Sequence, residues 1–279
     1  RTNNTGVLVM HQLGAGKTCT AGRVGEIWKN TRRVIFVGPA SLLTNFRDEL
    51  RSPCCGYLTT AERRQLSLLD PFSSEYLEII QESDRRIDAV YEIYSYNKFI
   101  ELLAGSRSRF NLDRAVLIID EVQNVVSATG STYAIIRDAI MEAPPGLRVM
   151  LMSATPMFDQ PVELALTLNL LRPKRLLPIG AEFNETFIGT SPTGTLFLKN
   201  TELLLSYCRG LVSYYGGAPG YTYPEVRIKF IRATMSKFQR GQYDKVNAGR
   251  QSDAATSIFH LPKDFMLGPR MISNIAFPN

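Results

Sequence analysis

The sequence predicts an α/β protein with a mainly parallel sheet and helices on both faces. Short apolar segments rich in β-branched residues alternate with helical segments, which is typical of a buried parallel sheet. The chain has 279 residues, 44% of them hydrophobic, and is long enough to bury one large core. After residue 174 the regularity fades, and we expect an irregular C-terminal extension there.

The elements follow one another at short intervals. The predicted strands are residues 6–10, 33–38, 90–94, 115–119 and 148–152, each a short apolar run. Residues 14–30 are predicted to form a loop and a helix, and further helices are predicted at 41–51, 97–104 and 132–142. Asn97 is the predicted cap of the helix at 97–104. A last helix is predicted to start with Asp159 as its cap and Pro161 just inside. Residues 60–87 are polar and are predicted to be helical, within an insertion at about 53–87.

The composition excludes several classes of protein. No apolar run approaches the roughly 20 residues that cross a bilayer, and the first residues hold no signal-peptide core, so we expect neither a membrane protein nor a secreted one. The four cysteines lack the spacing of a zinc site and favour a reducing compartment, the cytosol or nucleus, with Cys54 and Cys55 as incidental neighbours in a turn. The net charge of +6 weakly favours contact with polyanions. The first residue is Arg1 and not an initiator methionine, which suggests an internal piece of a longer chain or a processed product.

A phosphate-binding loop is the sharpest local signal. Residues 11–18 read HQLGAGKT and lie between a predicted strand and a predicted helix. Glycines there let backbone N–H groups turn toward an anion, Lys17 reaches the β- and γ-phosphates of ATP, and Thr18 offers a hydroxyl to Mg²⁺. His11 replaces the usual first glycine. The candidate nucleotide-binding residues are His11, Gln12, Gly14, Ala15, Gly16, Lys17 and Thr18.

Two adjacent acids end the apolar strand at 115–119. Asp120 can bind Mg²⁺ through water, and Glu121 can orient and deprotonate the attacking water, because the carboxyl end of such a strand lies beside the phosphate loop. With Lys17, these two acids are the candidate catalytic residues, and Thr18 and Asp120 are the candidate metal ligands. Ser153 and Thr155 end the next apolar strand and can sense the γ-phosphate through hydrogen bonds to the acidic segment.

In order and approximate spacing, residues 14–18 (GAGKT), 120–123 (DEVQ) and 153–155 (SAT) resemble motifs I, II and III of the superfamily-two helicases and translocases. The resemblance covers about residues 6–171. It implies that residues 1–175 form a RecA-like ATP-binding domain, helicase domain 1. Residues 176–279 would be an extension or linker toward a second RecA-like domain.

Further segments resemble the ATPases of large DNA viruses, such as the small subunit of the poxvirus early transcription factor and nucleoside triphosphate phosphohydrolase I. They are residues 153–171, 209–215 and 271–274. This resemblance implies a DNA-dependent ATPase of viral early transcription. It also implies the viral RNA polymerase or a transcription-factor subunit as partner, and the virion and the host cytoplasm or nucleus as location.

Other residues receive roles from the same resemblance. Gln123, Ser153 and Thr155 match residues that couple ATP to movement. Two segments after the second and third strands match those that hold the nucleic-acid backbone, although a proline after a strand and a serine at a helix cap also have ordinary structural explanations. Such contacts reach phosphates, so binding would be independent of base sequence. The candidate nucleic-acid contacts are Pro39, Ser41, Tyr94 and Ser95.

Departures from the family pattern leave several functions open. Gln123 stands where many relatives have His or Asp, which keeps hydrogen bonding and loses a titratable group. The sequence has no Gln-x-x-Gly-Arg-x-x-Arg stretch, which carries the arginine finger, so we expect the second domain beyond Asn279 and slow hydrolysis by this chain alone. The first hypothesis is half of a motor ATPase. The alternative is a nucleotide-gated structural subunit of a transcription or virion complex. A P-loop phosphotransferase is disfavoured, because the acid pair is suited to activate a water molecule and not an acceptor alcohol.

Overall fold

The computed structural model describes residues 4–105, 110–127, 130–157, 160–219, 222, 224–248 and 267–275. The strands are Gly6–His11 (β1), Arg33–Gly38 (β2), Tyr91–Ser95 (β3), Ala115–Ile119 (β4), Arg148–Ser153 (β5), Ile188–Thr190 (β6), Leu196–Leu198 (β7) and Val212–Tyr215 (β8). The first helices are Lys17–Trp28 (α1), Leu43–Arg51 (α2), Thr60–Leu66 (α3), Ser74–Asp88 (α4), Tyr96–Ala104 (α5) and Ser131–Glu142 (α6). The later ones are Val162–Asn169 (α7), Gly180–Phe187 (α8), Thr201–Cys208 (α9), Lys237–Ala248 (α10) and Leu267–Asn274 (α11). Among these residues, every helix is too short or too polar to cross a lipid bilayer.

Six strands form one sheet in the order β3-β2-β4-β5-β1-β8, and each neighbouring pair is parallel. The predicted α/β class with a parallel sheet is therefore confirmed, and all five predicted strands are present. β4 lies near the middle and is buried at every residue, which explains its unbroken apolar sequence. The parallel arrangement brings the carboxyl ends of the strands to one edge of the sheet.

Side chains from the two faces of the sheet form two buried clusters. On β2, Ile35 and Val37 join the cluster beneath α5, α6 and α7, whereas Val34 and Phe36 join the cluster on the other face. In the second cluster Phe36 stacks on Phe46 of α2 with ring centroids 3.6 Å apart. The period-two alternation of the strand thus places helices on both faces.

The predicted insertion consists of two helices, α3 and α4. Thr59 and Glu62 form a reciprocal capping box at the start of α3, and Ser73 caps α4. α4 is attached to α2 by ion pairs, in which Arg47 contacts both Asp84 and Asp88 at 2.9 and 2.6 Å. The insertion therefore packs beside α2, the helix that follows β2.

The structure places the end of the sheet beyond the predicted boundary at residue 175. β8 pairs with β1, and the chain divides into the compact units Arg1–Gly220 and Tyr221–Asn279. The extension predicted from residue 176 is corrected accordingly: its first part completes the sheet. The sequence of β8, VSYY, gave little signal because an edge strand is held mainly by backbone hydrogen bonds, such as Gln12 N–H to Tyr215 O at 3.1 Å. The presence of a second RecA-like domain after this one remains a prediction.

The second unit contains two helices in its described residues. Gln239 of α10 donates from Nε2 to the carbonyl oxygens of Ile272 and Ser273 in α11, at 2.9 and 3.0 Å. Both helices lie after residue 174, where the regularity of the sequence fades.

Two helix caps can be compared with the sequence. The cap of α5 is Ser95, whose hydroxyl accepts from Lys98 N–H at 3.3 Å, so the assignment of Asn97 is wrong by two residues. Both residue types favour caps, and α5 begins at Tyr96, one residue before its predicted start. Asp159, the predicted cap of the helix near Pro161, lies outside the described residues.

The cysteines differ from the sequence-based expectation. Cys19, in the first turn of α1, forms a disulfide with Cys54, in the loop after α2, with Cα atoms 6.0 Å apart. Cys55 and Cys208 are free and half-buried. Thirty-five residues separate the bonded pair, so local spacing gave no signal, and the packing of α1 against α2 brings them together. The prediction of a reducing compartment rested on the spacing of the cysteines, and the disulfide does not support it.

Reduction of this disulfide is expected to lower the free energy of unfolding by about 2–4 kcal/mol, because the bond restricts a long loop of the unfolded chain. Denaturant unfolding with and without dithiothreitol measures the effect. The double variant Cys19→Ser/Cys54→Ser should be insensitive to the reductant. An equal response of both proteins to dithiothreitol would contradict the assignment of the bond.

Candidate nucleotide site

The loop between β1 and α1 has the backbone of an anion-binding turn. Gly14 and Gly16 have φ angles of 72° and 74°, a left-handed conformation that side chains disfavour. Ala15 N–H donates to Gln12 O at 3.2 Å and closes the turn. α1 begins directly afterwards at Lys17, so its unpaired N–H groups and its dipole face the same space.

Lys17 is held at the base of this loop. Its side chain is largely buried, and Nζ donates to His11 O at 3.0 Å and to Gln12 O at 3.3 Å. His11, which stands at the usual first glycine, is the last residue of β1 and is paired with Tyr215 of β8. Its Nε2 lies 3.2 Å from Ser213 Oγ. The histidine thus anchors the loop to the edge of the sheet through β8.

The acid pair lies where β4 ends. Asp120 N–H donates to Val37 O at 2.8 Å, and Asp120 Oδ1 accepts from Glu121 N–H at 3.0 Å. Burial, and then the neighbouring charge of Glu121, raise the pKa of Asp120 to about 6, while Lys17 acts in the opposite direction. Glu121 has a left-handed backbone with φ 50°, a conformation that is unusual for a residue with a side chain.

One cavity of about 370 Å³ joins the loop and the acid pair. The structure therefore brings together Lys17, Thr18, Asp120 and Glu121, which are up to 104 residues apart in the chain (121 minus 17). The other lining residues are Leu13, Gly14, Gly16, Cys19, Leu42, Asn45, Phe46 and Glu49. The lining residues from α2 were not identified from the sequence, because this helix reaches the cavity only through its packing against α1.

A larger cavity of about 450 Å³ lies beside the N-terminal end of β1 and is lined mostly by apolar residues such as Val7, Val24 and Trp28. Arg148 is the charged residue in its lining. A triphosphate is bound best where backbone N–H groups at a helix N-terminus lie beside a cation, and the smaller cavity offers this at the glycine loop and Lys17.

A chain of hydrogen bonds links the acid pair to the end of β5. Gln123 Nε2 donates to Glu121 Oε2 at 2.6 Å, and Gln123 Oε1 accepts from Ser153 Oγ at 2.7 Å. Ser153 Oγ in turn accepts from Thr155 N–H at 2.9 Å. The amide at position 123 uses its donor and its acceptor at once, so Gln is suited to connect these two segments.

The candidate nucleic-acid contacts lie at the same edge of the sheet. Pro39 follows β2 and its carbonyl accepts from Leu42 N–H at 2.9 Å, while Ser41 is exposed. Tyr94 donates from its hydroxyl to Glu92 Oε2 at 3.1 Å, and Ser95 caps α5. Three of the four thus have a structural role in this chain, and their contact with nucleic acid remains a prediction.

Tyr96 is an additional residue at the acid pair. Its hydroxyl donates to the carbonyl oxygens of Asp120 and Glu121, the latter at 3.0 Å. Burial, followed by the charges of Asp120 and Glu121, raises the pKa of this phenol above its usual value. The sequence offered one signal, the motif YSY at 94–96, whose last residue was not assigned a role.

The side chains at the cavity are compatible with Mg²⁺. This ion prefers oxygen ligands and is commonly held by one or two carboxylates together with substrate phosphates. Asp120, whose buried charge is only partly offset by Lys17, and the hydroxyl of Thr18 offer such oxygens. Another group within the described residues, Cys19, Glu49 and Cys54, has metal-ligating atoms within 4.8 Å of one another, but the two sulfurs form the disulfide.

No protein-family model matches the chain. The chain is 43% identical over 287 residues to the "Putative ATP-dependent RNA helicase" of Acanthamoeba polyphaga mimivirus, an alignment that covers all of this chain and 50% of that protein. It is 27% identical over 221 residues to the "Termination factor NPH-I homolog" of African swine fever virus, covering 77% of this chain and 28% of that protein. A solved structure, the SWI2/SNF2 ATPase core of Sulfolobus solfataricus with dsDNA, aligns at 18% identity and a TM-score of 0.47, over 96% of this chain and 54% of that one.

The chain is a RecA-like domain of the superfamily-two helicase and translocase type, which its three motifs and its parallel sheet indicate. Its homologues are proteins of large DNA viruses that bear helicase names. The sequence-based assignment to this superfamily is confirmed. The chain spans half the length of the mimivirus relative and 28% of the length of the African swine fever virus relative.

Asp120→Asn is expected to stabilise the magnesium-free protein at pH 8 by up to about 3 kcal/mol, since each unit of pKa shift corresponds to about 1.4 kcal/mol. The pKa of Asp120 is higher in the folded state than in the unfolded state. The wild type should therefore lose stability as the pH rises from about 4 through 6, as the buried carboxyl ionises, and the variant should not. Denaturant unfolding of both proteins at pH 4 and pH 8 tests this. A difference of equal size at the two pH values would show that burial of the charge is not the cause.

Proposed function

We propose that this chain is the ATP-binding half of a nucleic-acid-dependent ATPase of the superfamily-two type. The observation that carries the proposal is the shared cavity, in which the loop of Lys17 faces the acid pair of Asp120 and Glu121. The loop N–H groups and Lys17 would bind the phosphates of ATP, and Thr18 and Asp120 would hold Mg²⁺. Mg²⁺, when bound, would neutralise charge on the β- and γ-phosphates.

Glu121 would orient the attacking water and take its proton. Glu121 lines the cavity, and Oε2 of its carboxylate accepts a hydrogen bond from Gln123 Nε2. The link from Gln123 to Ser153 and Thr155 would report the state of the γ-phosphate to the end of β5. A second RecA-like domain would supply the arginine finger, which is worth about 10³ to 10⁵ in rate.

The physiological setting that we propose is viral transcription, in the virion and the host cytoplasm or nucleus, with the viral RNA polymerase or a transcription-factor subunit as partner. The name of the African swine fever virus relative, a termination factor homologue, supports this. We propose DNA as the track, bound through its backbone at Pro39, Ser41, Tyr94 and Ser95. The name of the mimivirus relative refers to RNA, so both polymers belong in the test.

Steady-state ATP hydrolysis by the full-length polypeptide, measured without nucleic acid and with single-stranded DNA, double-stranded DNA or RNA, tests the proposal. We expect turnover that DNA stimulates. Stimulation by RNA alone would show that the protein acts on RNA and not on DNA, and the proposed ATPase activity would stand. Nucleotide binding without turnover under all four conditions would overturn the motor and favour the nucleotide-gated subunit.

A further inference from the structure

The backbone at Glu121 adopts a conformation that needs support. Its φ and ψ angles are both 50°, in the left-handed region, which is unfavourable for a residue with a Cβ atom. Such conformations persist where the surroundings hold them, and they are common at functional sites. Here the conformation decides where the carboxylate points.

Tyr96 supports this backbone from another part of the chain. It is the first residue of α5, directly after β3, and β2 lies between β3 and β4 in the sheet. Its phenol therefore reaches past the end of β2 to the end of β4. There the hydroxyl donates to the carbonyl oxygens of Asp120 and Glu121, on both sides of the left-handed residue.

The other hydrogen bonds of Glu121 within the described part of the chain come from its own segment. Its N–H donates to Asp120 Oδ1, its carbonyl accepts from Asn124 N–H at 3.0 Å, and its carboxylate accepts from Gln123. These residues move with the loop. Tyr96 is partly buried and packs against the core cluster that contains β4 and α6, so it can fix the loop relative to the sheet.

We propose that Tyr96 is a positioning residue for ATP hydrolysis, which holds the backbone of Glu121 so that the carboxylate faces the attacking water. This role rests on the proposed function. It predicts that the Tyr96 hydroxyl affects turnover and leaves the binding of nucleotide unchanged, because the phosphate loop and Lys17 do not contact Tyr96 among the described hydrogen bonds.

The test is Tyr96→Phe in the full-length polypeptide. This substitution removes the hydroxyl and keeps the ring. We expect kcat for ATP to fall about tenfold or more, since small displacements of a catalytic group are costly, with KM and the dissociation constant for ATP within about twofold. In a Glu121→Gln background, single-turnover assays should show no further loss from Tyr96→Phe, because the carboxylate through which Tyr96 acts is gone.

Tyr133→Phe is the matched control. Its buried hydroxyl also donates to a backbone carbonyl, Leu166 O at 3.0 Å, and it lies in α6 away from the cavity. Both variants should lose similar thermal stability, and only Tyr96→Phe should lose kcat. Unchanged kcat in Tyr96→Phe, an equal loss in both variants, or an additive loss with Glu121→Gln would overturn the positioning role while leaving the ATPase in place. A wild-type protein without turnover would overturn the proposed function and this role together.

Discussion

Glu121→Gln is expected to lower kcat for ATP by about a hundredfold or more, while the affinity for ATP stays within about threefold. A positioned general base contributes about 10² to 10⁴ in rate, and a carboxamide cannot take the proton. The replacement has nearly the same shape, and its oxygen can still accept from Gln123 Nε2, so the hydrogen bonds of the loop should persist. The measurement is phosphate release at saturating ATP and DNA, with nucleotide affinity from a fluorescence titration.

Glu142→Gln provides the control for this result. Glu142 is the exposed last residue of α6, outside the cavity, so its loss changes the net charge equally. It should leave kcat unchanged. If Glu121→Gln retained most of the turnover, water activation would have to be assigned to another group, and the assignment of Glu121 as base would be wrong.

Lys17→Ala is expected to weaken ATP binding by about a hundredfold or more. Removing one partner of a buried charge pair costs about 2–5 kcal/mol, and about 2.7 kcal/mol corresponds to a hundredfold change. Lys17 is the cation that lines the cavity, and its ammonium lies against the loop carbonyls of His11 and Gln12. Calorimetric titration with Mg²⁺ and a non-hydrolysable ATP analogue measures the loss.

Lys29, just beyond the end of α1, provides a control that removes a positive charge outside the cavity. Lys29 follows α1 at its far end and pairs with Glu26 at 2.6 Å, outside the cavity. Lys29→Ala should bind the analogue as the wild type does. Circular dichroism checks that Lys17→Ala is folded, because its loop carbonyls lose their partner. A folded Lys17→Ala protein with wild-type affinity would place the triphosphate elsewhere.

These predictions depend on features that differ in how far the sequence reveals them. The phosphate loop could be located because two left-handed turns require Gly14 and Gly16, and a strand and helix flank them in a short stretch. The acid pair could be located because β4 is buried at every residue and ends abruptly in charge. β8 could not, since its four residues pair through their backbone and are largely exposed.

The insertion and the cysteines show the same limit. The helical character of residues 60–87 was visible, but where it divides into α3 and α4 depends on caps such as Thr59 and Ser73, whose types occur throughout the segment. The Cys19–Cys54 bond depends on the contact between α1 and α2, which no local pattern records. The boundary at residue 175 was wrong for a related reason, because it followed the end of the regular pattern and not the pairing of β1.

By itself, the sequence determined the α/β class, five of the six strands of the main sheet, and the residue types of the phosphate loop and the acid pair, because each is encoded by neighbouring residues. Only the tertiary structure decided that Lys17 and Glu121 share one cavity, that Gln123 joins Ser153, and that Tyr96 reaches the carbonyl of Glu121. These contacts depend on the strand order, which places β2 between β3 and β4. Strand order arises from the packing of the whole core, and it cannot be predicted from the periodicity of hydrophobic residues along the chain.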